Sequence, residues 1–174
     1  MGRMHELIST LDTQLSQVEA EIEEIAQQES EWSKTIALLQ TIPGIGLLTA
    51  CLVVVYTLDF SLCKSAEQAS HYAGLAPLER SSGTSVRGRA RIGPAGHSRL
   101  RTALYLATLS GAKHNPVLKE FYERLKAAGK PAKVARCATA RKLLHLTFAV
   151  ATSGQAFDSQ YAARRKKISQ SQVS

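Results

Sequence analysis

The residues best suited to chemistry are Ser82 and Gly83, set in the segment Arg80-Ser81-Ser82-Gly83-Thr84-Ser85-Val86-Arg87-Gly88-Arg89-Ala90-Arg91. A serine hydroxyl attacks poorly unless a base takes its proton or cations stabilise the charge that builds on the attacked group, and clustered guanidiniums can do the second job. Between Glu79 and Glu120 there is no carboxylate, whereas Arg80, Arg87, Arg89, Arg91, Arg99 and Arg101 all fall there. Each guanidinium fork can hold a phosphate through two hydrogen bonds, so these arginines on a glycine-rich segment form a phosphate-gripping surface. With no acids to offset their mutual repulsion, a merely solvated basic loop is the weaker reading. Ser-Gly pairs are common in turns, so spacing alone leaves Ser82 as either an exposed nucleophile or an ordinary turn residue.

A second segment, Thr41-Ile42-Pro43-Gly44-Ile45-Gly46-Leu47-Leu48-Thr49-Ala50, fits a helix-hairpin-helix. Gly44 and Gly46 permit the tight turn, and the backbone N–H groups that open the second helix can bind a phosphate without reading bases. The same turn can also serve only to join two packed helices. His97 and Arg101, one helical turn apart, could touch a phosphate or simply cap and cover the surface. Arg141 and Lys142 are further candidates, although Arg141 could equally be a paired structural residue. His114 and His145 have no partner at ligand spacing and are expected to pack or hydrogen-bond.

Metal chemistry finds no support. Cys51, Cys63 and Cys137 show neither C-x-x-C spacing nor nearby paired histidines, which disfavours a zinc site or a disulfide framework and favours buried thiols. The body's acids, Asp59, Glu67, Glu79, Glu120, Glu123 and Asp158, are scattered, and only Glu120 and Glu123 share helical spacing. No metal or other cofactor is expected in this chain.

Helices must position these groups. From Ile8 the apolar residues step through Leu11, Leu15, Val18, Ile22, Ile25, Trp32, Ile36 and Leu39, with Glu29 in one seam position. Alternating steps of three and four over so many turns predict a coiled coil or helical arm, with an ordinary amphipathic helix as the alternative. Pro43, Gly44 and Gly46 break the pattern, and a helix resumes over 47–58. A short helix is expected over 66–72, then a loop or hairpin between Gly74 and Gly96, rich in glycine, proline and serine. Ser98 is a candidate N-cap for a helix whose buried stripe would be Leu100, Leu104, Ala107, Leu109 and Ala112. Asn115-Pro116 ends that helix and opens another over 117–128, closed by Gly129, and the last long helix runs over 133–152.

The charge is +8 over 174 residues, but its distribution says more. Residues 1–35 carry eight acids against two bases, about −6, leaving about +14 on the rest. Such a body points to a polyanionic partner. The longest apolar run, Ile45 to Leu58, is shorter than the roughly 20 residues that span a bilayer. Arg3, Glu6 and Asp12 interrupt what would be the apolar centre of a secretory signal, so a cytoplasmic location is expected and no membrane partner.

One resemblance joins these motifs. Ile42-Pro43-Gly44-Ile45-Gly46, Tyr72-Ala73-Gly74-Leu75-Ala76-Pro77, Ser82-Gly83, Gly96-His97-Ser98-Arg99-Leu100-Arg101, Asn115-Pro116, Gly129-Lys130-Pro131-Ala132-Lys133-Val134-Ala135 and Ala140-Arg141-Lys142-Leu143 follow one another in order. Together, over roughly residues 38–150, they resemble the C-terminal domain of the insertion-sequence transposases related to the Piv invertase. The resemblance implies a domain that normally follows a RuvC-like, Holliday-junction-resolvase-like domain whose four acids bind magnesium, with a coiled-coil arm between the two. It implies that the serine of a Ser-Gly motif, here Ser82, becomes covalently joined to DNA. Several members of that family are guided by a structured RNA, which adds a second candidate partner. The family often carries lysine where Pro94 stands, so a phosphate contact there would fall to Arg91 or Arg99.

The expectation is therefore an all-α chain: a coiled-coil arm over 1–38, a compact helical domain over 39–153 with the helix-hairpin-helix and basic glycine-rich loop, and a basic disordered tail over 154–174. Its expected function is DNA binding and strand transfer as part of an insertion-sequence transposase, truncated and inactive alone, with magnesium confined to the domain it lacks. Ser82 is the expected nucleophile. Gly44, Gly46, Arg80, Arg87, Arg89, Arg91, Arg99 and Arg101 are the expected nucleic-acid contacts, and the arm is expected to make a homo-oligomer. The alternatives are a non-catalytic nucleic-acid-binding dimerisation module and an assembly protein whose arm recruits partners.

Overall fold

The apolar stepping of the first forty residues folds as two helices, α1 (Gly2–Gln28) and α2 (Ser30–Gln40). This computed structural model describes residues 2–28, 30–77, 81–82, 86–87, 92–93 and 95–161, with only the backbone at 26, 27, 30, 81, 82, 86 and 87. Five more helices follow among the described residues: α3 (Leu47–Thr57), α4 (Ala66–Tyr72), α5 (Ser98–His114), α6 (Pro116–Ala127) and α7 (Ala132–Ser153). Between α4 and α5 lie two two-residue strands, β1 (Ser81–Ser82) and β2 (Val86–Arg87), paired antiparallel. The fold is all-α, with that small hairpin its single departure among the described residues.

The seam of the first forty residues serves two purposes. Ile36 and Leu39 of α2 are buried in the core, and Trp32 packs against it. On α1, Leu7, Ile8, Leu11, Leu15, Val18 and Ile25 stay exposed, and Ile22 alone of that stripe reaches the core. Residue 29, the polar seam position, lies outside the described residues.

The core is formed by Leu39 and Ile42, Val53 and Val54 of α3, Leu100 and Leu104 of α5, Leu118 of α6, and Leu143 and Leu144 of α7. Each such side chain contributes about 1.5–3 kcal/mol by leaving water. Because α3 packs against α1, α2 and α5, its long apolar run is core. No helix among the described residues is long and apolar enough to cross a membrane. The buried stripe of α5 is Leu100, Leu104, Ala107, Thr108 and Gly111; Leu109, expected on it, is exposed because helical geometry puts it on the face opposite Leu100. Ser98 is the first helical residue, and His97 occupies the N-cap without a side-chain bond.

Polar groups terminate the helices where the sequence has the means. Asn115 is fully buried; its Oδ1 accepts from the Val117 and Leu118 N–H groups at 3.1 and 3.3 Å, and its Nδ2 donates to the Pro43 carbonyl at 3.5 Å. Ser65 caps α4 by accepting from the Gln68 N–H at 3.2 Å, while Gln68 Oε1 accepts from the Lys64 N–H at 2.8 Å. After α3 the chain makes a left-handed turn through Leu58, Asp59 and Phe60, with φ of 47°, 52° and 59°. That conformation costs about 1–2 kcal/mol per non-glycine residue. It is offset by the Phe60 N–H donating to Thr57 Oγ1 at 3.0 Å, by Thr35 Oγ1 donating to Asp59 Oδ2 at 3.1 Å, and by Phe60 packing edge-on against Phe148.

The segment from Gly154, expected to begin the tail, first returns to the domain. The Phe157 N–H donates to Thr41 Oγ1 at 2.8 Å, and the Phe157 ring packs against the core. Residues 162–174, with the Arg164 to Lys167 cluster, lie outside the described residues.

Candidate nucleic-acid interface

Both ends of the serine-bearing segment are gathered into one neck. The His97 N–H donates to the Tyr72 carbonyl at 2.8 Å, and the His97 ring lies between Tyr56, 4.0 Å away centroid to centroid, and Tyr72, at 6.1 Å. Gly74 and Gly96, both with positive φ, approach so closely that a β-carbon on Gly96 would overlap the Gly74 backbone. Arg101, reaching back from the first turn of α5, donates Nη1 to the Ala95 carbonyl at 3.2 Å and the Gly74 carbonyl at 3.4 Å. One guanidinium therefore ties the outgoing chain to the returning one.

Beyond this neck the hairpin pairs Ser82 with Val86 and Ser81 with Arg87. The backbone thus sets Arg87 one rung from Ser82 in the opposite strand. Arg80, Arg89 and Arg91 lie outside the described residues, as do the side chains of Ser82 and Arg87. Arg99 is exposed at the start of α5, whereas Arg101 is half-buried in the neck. Of the two neighbours expected to grip phosphate, the one facing solvent is Arg99.

The two turn glycines part company. Gly44, with φ of 104°, lies against α5, where a β-carbon would come 2.5 Å from Gly111 Cα. Its glycine requirement is accounted for by that helix contact. Gly46 is exposed at the N-cap of α3 with open space around it. The N-terminus of α3 faces a cavity of about 510 Å³ lined by Gly46, Leu47, Leu48 and Thr49 on one side and by Ser16, Glu19 and Glu23 of α1 on the other. Two acidic residues of α1 thus line the same cavity as the positive end of α3, where an anion is favoured by about 0.3–1 kcal/mol.

Sequence reading missed a cleft of about 520 Å³ on the α6–α7 side. Lys133, Cys137, Arg141 and His145, spaced four apart on α7, line it with Lys142, Val134 and Ala138. Phe121 of α6 forms another part of the wall, and Leu75, Pro77 and Ile92 come from the two stems of the hairpin segment. The signal was the four-residue row of polar groups on α7, but the opposite wall comes from residues more than forty positions earlier. His145 Nε2 lies 2.9 Å from the Ser70 hydroxyl, which is buried and also donates to the Ala66 carbonyl. Burial, then the nearby Arg141 charge, pulls the His145 pKa below its ordinary value, with Glu67 opposing.

Burial raises the pKa values of all three cysteines, which favours thiols over thiolates. Among the described residues no group of three or more His, Cys, Asp or Glu side chains gathers where a metal ion could sit.

The transposase family described as IS116/IS110/IS902 matches residues 36–123, from the second half of α2 through most of α6, with the neck and hairpin inside the matched span. The pilin gene-inverting protein of Moraxella lacunata is 34% identical over 145 residues, covering 83% of this chain and 45% of that protein. An uncharacterized 43.6 kDa protein of insertion element IS110 from Streptomyces coelicolor is 31% identical over 126 residues, covering 72% of this chain and 31% of its own length. The chain thus spans less than half the length of these curated relatives. This chain belongs to the IS116/IS110/IS902 transposase family.

Proposed function

We propose that this chain is the DNA-binding and strand-transfer portion of an insertion-sequence transposase acting in the cytoplasm, with Ser82 as the nucleophile. Arg80, Arg87, Arg89, Arg91 and Arg99 hold the phosphates, while Arg101 positions the segment that carries them. In the strand-joining step Ser82 Oγ attacks a backbone phosphorus and loses its proton. An Oγ–P bond forms and one P–O bond to deoxyribose breaks, and the displaced oxygen takes up a proton as a free strand-end hydroxyl. The phosphodiester energy is kept in the protein–DNA linkage, and the arginines stabilise the charge on the five-coordinate phosphorus.

The observation that carries this reading is the hairpin on its neck. Ser82 sits in a paired strand, one rung from Arg87, on a segment whose two ends are fixed by Gly74, Gly96 and Arg101. Gly46 and the α3 N-terminus are assigned a lesser phosphate contact, available when Glu19 and Glu23 move away. The exposed apolar stripe of α1 is assigned to self-association, since Leu11 and Leu15 lie open to solvent at coiled-coil spacing. A structured RNA presents the same phosphates and would bind the same arginines.

The test supplies the chain with a resolvase-like acidic domain in trans, magnesium and an element-end DNA, and looks for a protein–DNA adduct on a denaturing gel. Ser82→Ala is expected to abolish the adduct and leave DNA binding within about twofold, because the grip is electrostatic. An adduct that survives Ser82→Ala rejects the nucleophile and leaves the non-catalytic binding module.

A further inference from the structure

The cleft beside the hairpin stems differs from the loop in character. Its interior is apolar, with Leu75, Pro77 and Ile92 on the stem side and Phe121, Val134 and Ala138 on the helix side. Val134 remains 53% exposed at the mouth. Lys133, Arg141 and Lys142 stand around this apolar slot. At about 520 Å³ it falls in the size range of sites that enclose a small ligand. An apolar slot ringed by cations calls for a flat apolar group that carries a negative charge on a short tether.

We propose that this cleft receives one unstacked nucleotide of a DNA strand, its base entering between Phe121 and the stem residues and its flanking phosphates resting on Lys133, Arg141 and Lys142. Continuity selects a nucleotide over an acidic peptide. Pro77 and Ile92 are at once wall residues of the cleft and the stems of the arginine-bearing hairpin, so a strand gripped by the loop passes its neighbouring nucleotide across the opening. A base drawn from the stack leaves the adjacent backbone accessible to a nucleophile, and stacking on an aromatic ring repays part of the unstacking. Phe121 supplies a phenyl ring in the wall.

This inference rests on the DNA-binding reading, and the experiment separates the two. The full chain is titrated with a single-stranded oligonucleotide carrying one 2-aminopurine, and with the same strand made abasic at that position. Wild-type protein is expected to change the 2-aminopurine emission saturably and to bind the base-bearing strand about tenfold more tightly than the abasic one. Val134→Trp, a substitution at the exposed mouth that keeps every charge, is expected to abolish that preference while salt-sensitive binding remains. Ala138→Trp, deeper in the slot, should do the same, and thermal melting shows whether each variant is folded. Binding that is salt-sensitive but indifferent to the base and to Val134→Trp overturns the cleft assignment and leaves the loop reading standing. Self-association lost in Val134→Trp with the base preference unchanged marks a protein-docking face and also overturns it. Absence of any salt-sensitive binding removes both.

Discussion

Gly44 and Gly111 meet backbone to backbone: a β-carbon on Gly44 would lie 2.5 Å from Gly111 Cα and 2.8 Å from Gly111 N. Here the turn between α2 and α3 is pressed onto α5, and the adjacent Pro43 carbonyl is held by the buried Asn115 amide. Pro43 and Gly44 therefore have a packing role of their own.

Replacing Gly44 by alanine adds both a left-handed strain and a backbone clash that no side-chain rotation relieves. The expected loss is about 2–4 kcal/mol, seen as a melting temperature lower by about 4–16 °C. Gly46→Ala, with open space around it, should move the melting temperature far less. Equal losses at the two glycines would show that the α5 contact is not what requires Gly44.

Arg101→Lys keeps the charge but gives up the planar fork that reaches both Gly74 and Ala95 carbonyls. The neck should loosen at a cost of about 1–2 kcal/mol, so limited proteolysis of the segment after Pro77 accelerates about five- to thirtyfold. Arg99→Lys should leave cleavage unchanged. If both variants are cleaved like wild type, the neck does not depend on Arg101.

Protonation of His145 should favour unfolding. Its folded pKa lies below the ordinary 6.5, through burial first and the Arg141 charge second, with Lys142 adding to and Glu67 opposing the effect. The stabilisation it supplies is therefore present above pH 6.5 and lost as pH falls from there through the folded value. Urea midpoints measured between pH 7.5 and 5 should fall with acid, and His145→Gln, whose amide can still meet the Ser70 hydroxyl, should flatten that fall. An undiminished acid limb in the variant would place the titrating group elsewhere.

Helices were readable where local chemistry decides them. Asn115, Pro116 and Gly129 mark helix ends through their own backbone preferences, so the junction of α5 and α6 is placed at Asn115; α4, expected over 66–72, has that span. The division of the first forty residues was less visible, because one unbroken apolar stepping serves both the exposed stripe of α1 and the buried face of α2; periodicity records which residues are apolar, not what covers them. Arg101 and Gly44, expected nucleic-acid contacts, have neighbours within the chain that sequence does not display: the Gly74 and Ala95 carbonyls for Arg101 and the Gly111 backbone for Gly44. The cleft was hidden because its walls join Leu75 and Ile92 to Phe121 and Val134, a tertiary meeting that no local pattern encodes.

Affinity for DNA measured against salt bears most directly on the proposed phosphate grip. With Arg80, Arg87, Arg89, Arg91 and Arg99 each neutralising a phosphate, the logarithm of the binding constant for duplex DNA should fall against the logarithm of salt concentration with a slope of about −4 to −5, and neutralising Arg87 and Arg99 together should reduce its magnitude by about 2. A slope near zero, or one unmoved by those substitutions, would contradict the assignment of these arginines to a nucleic-acid backbone.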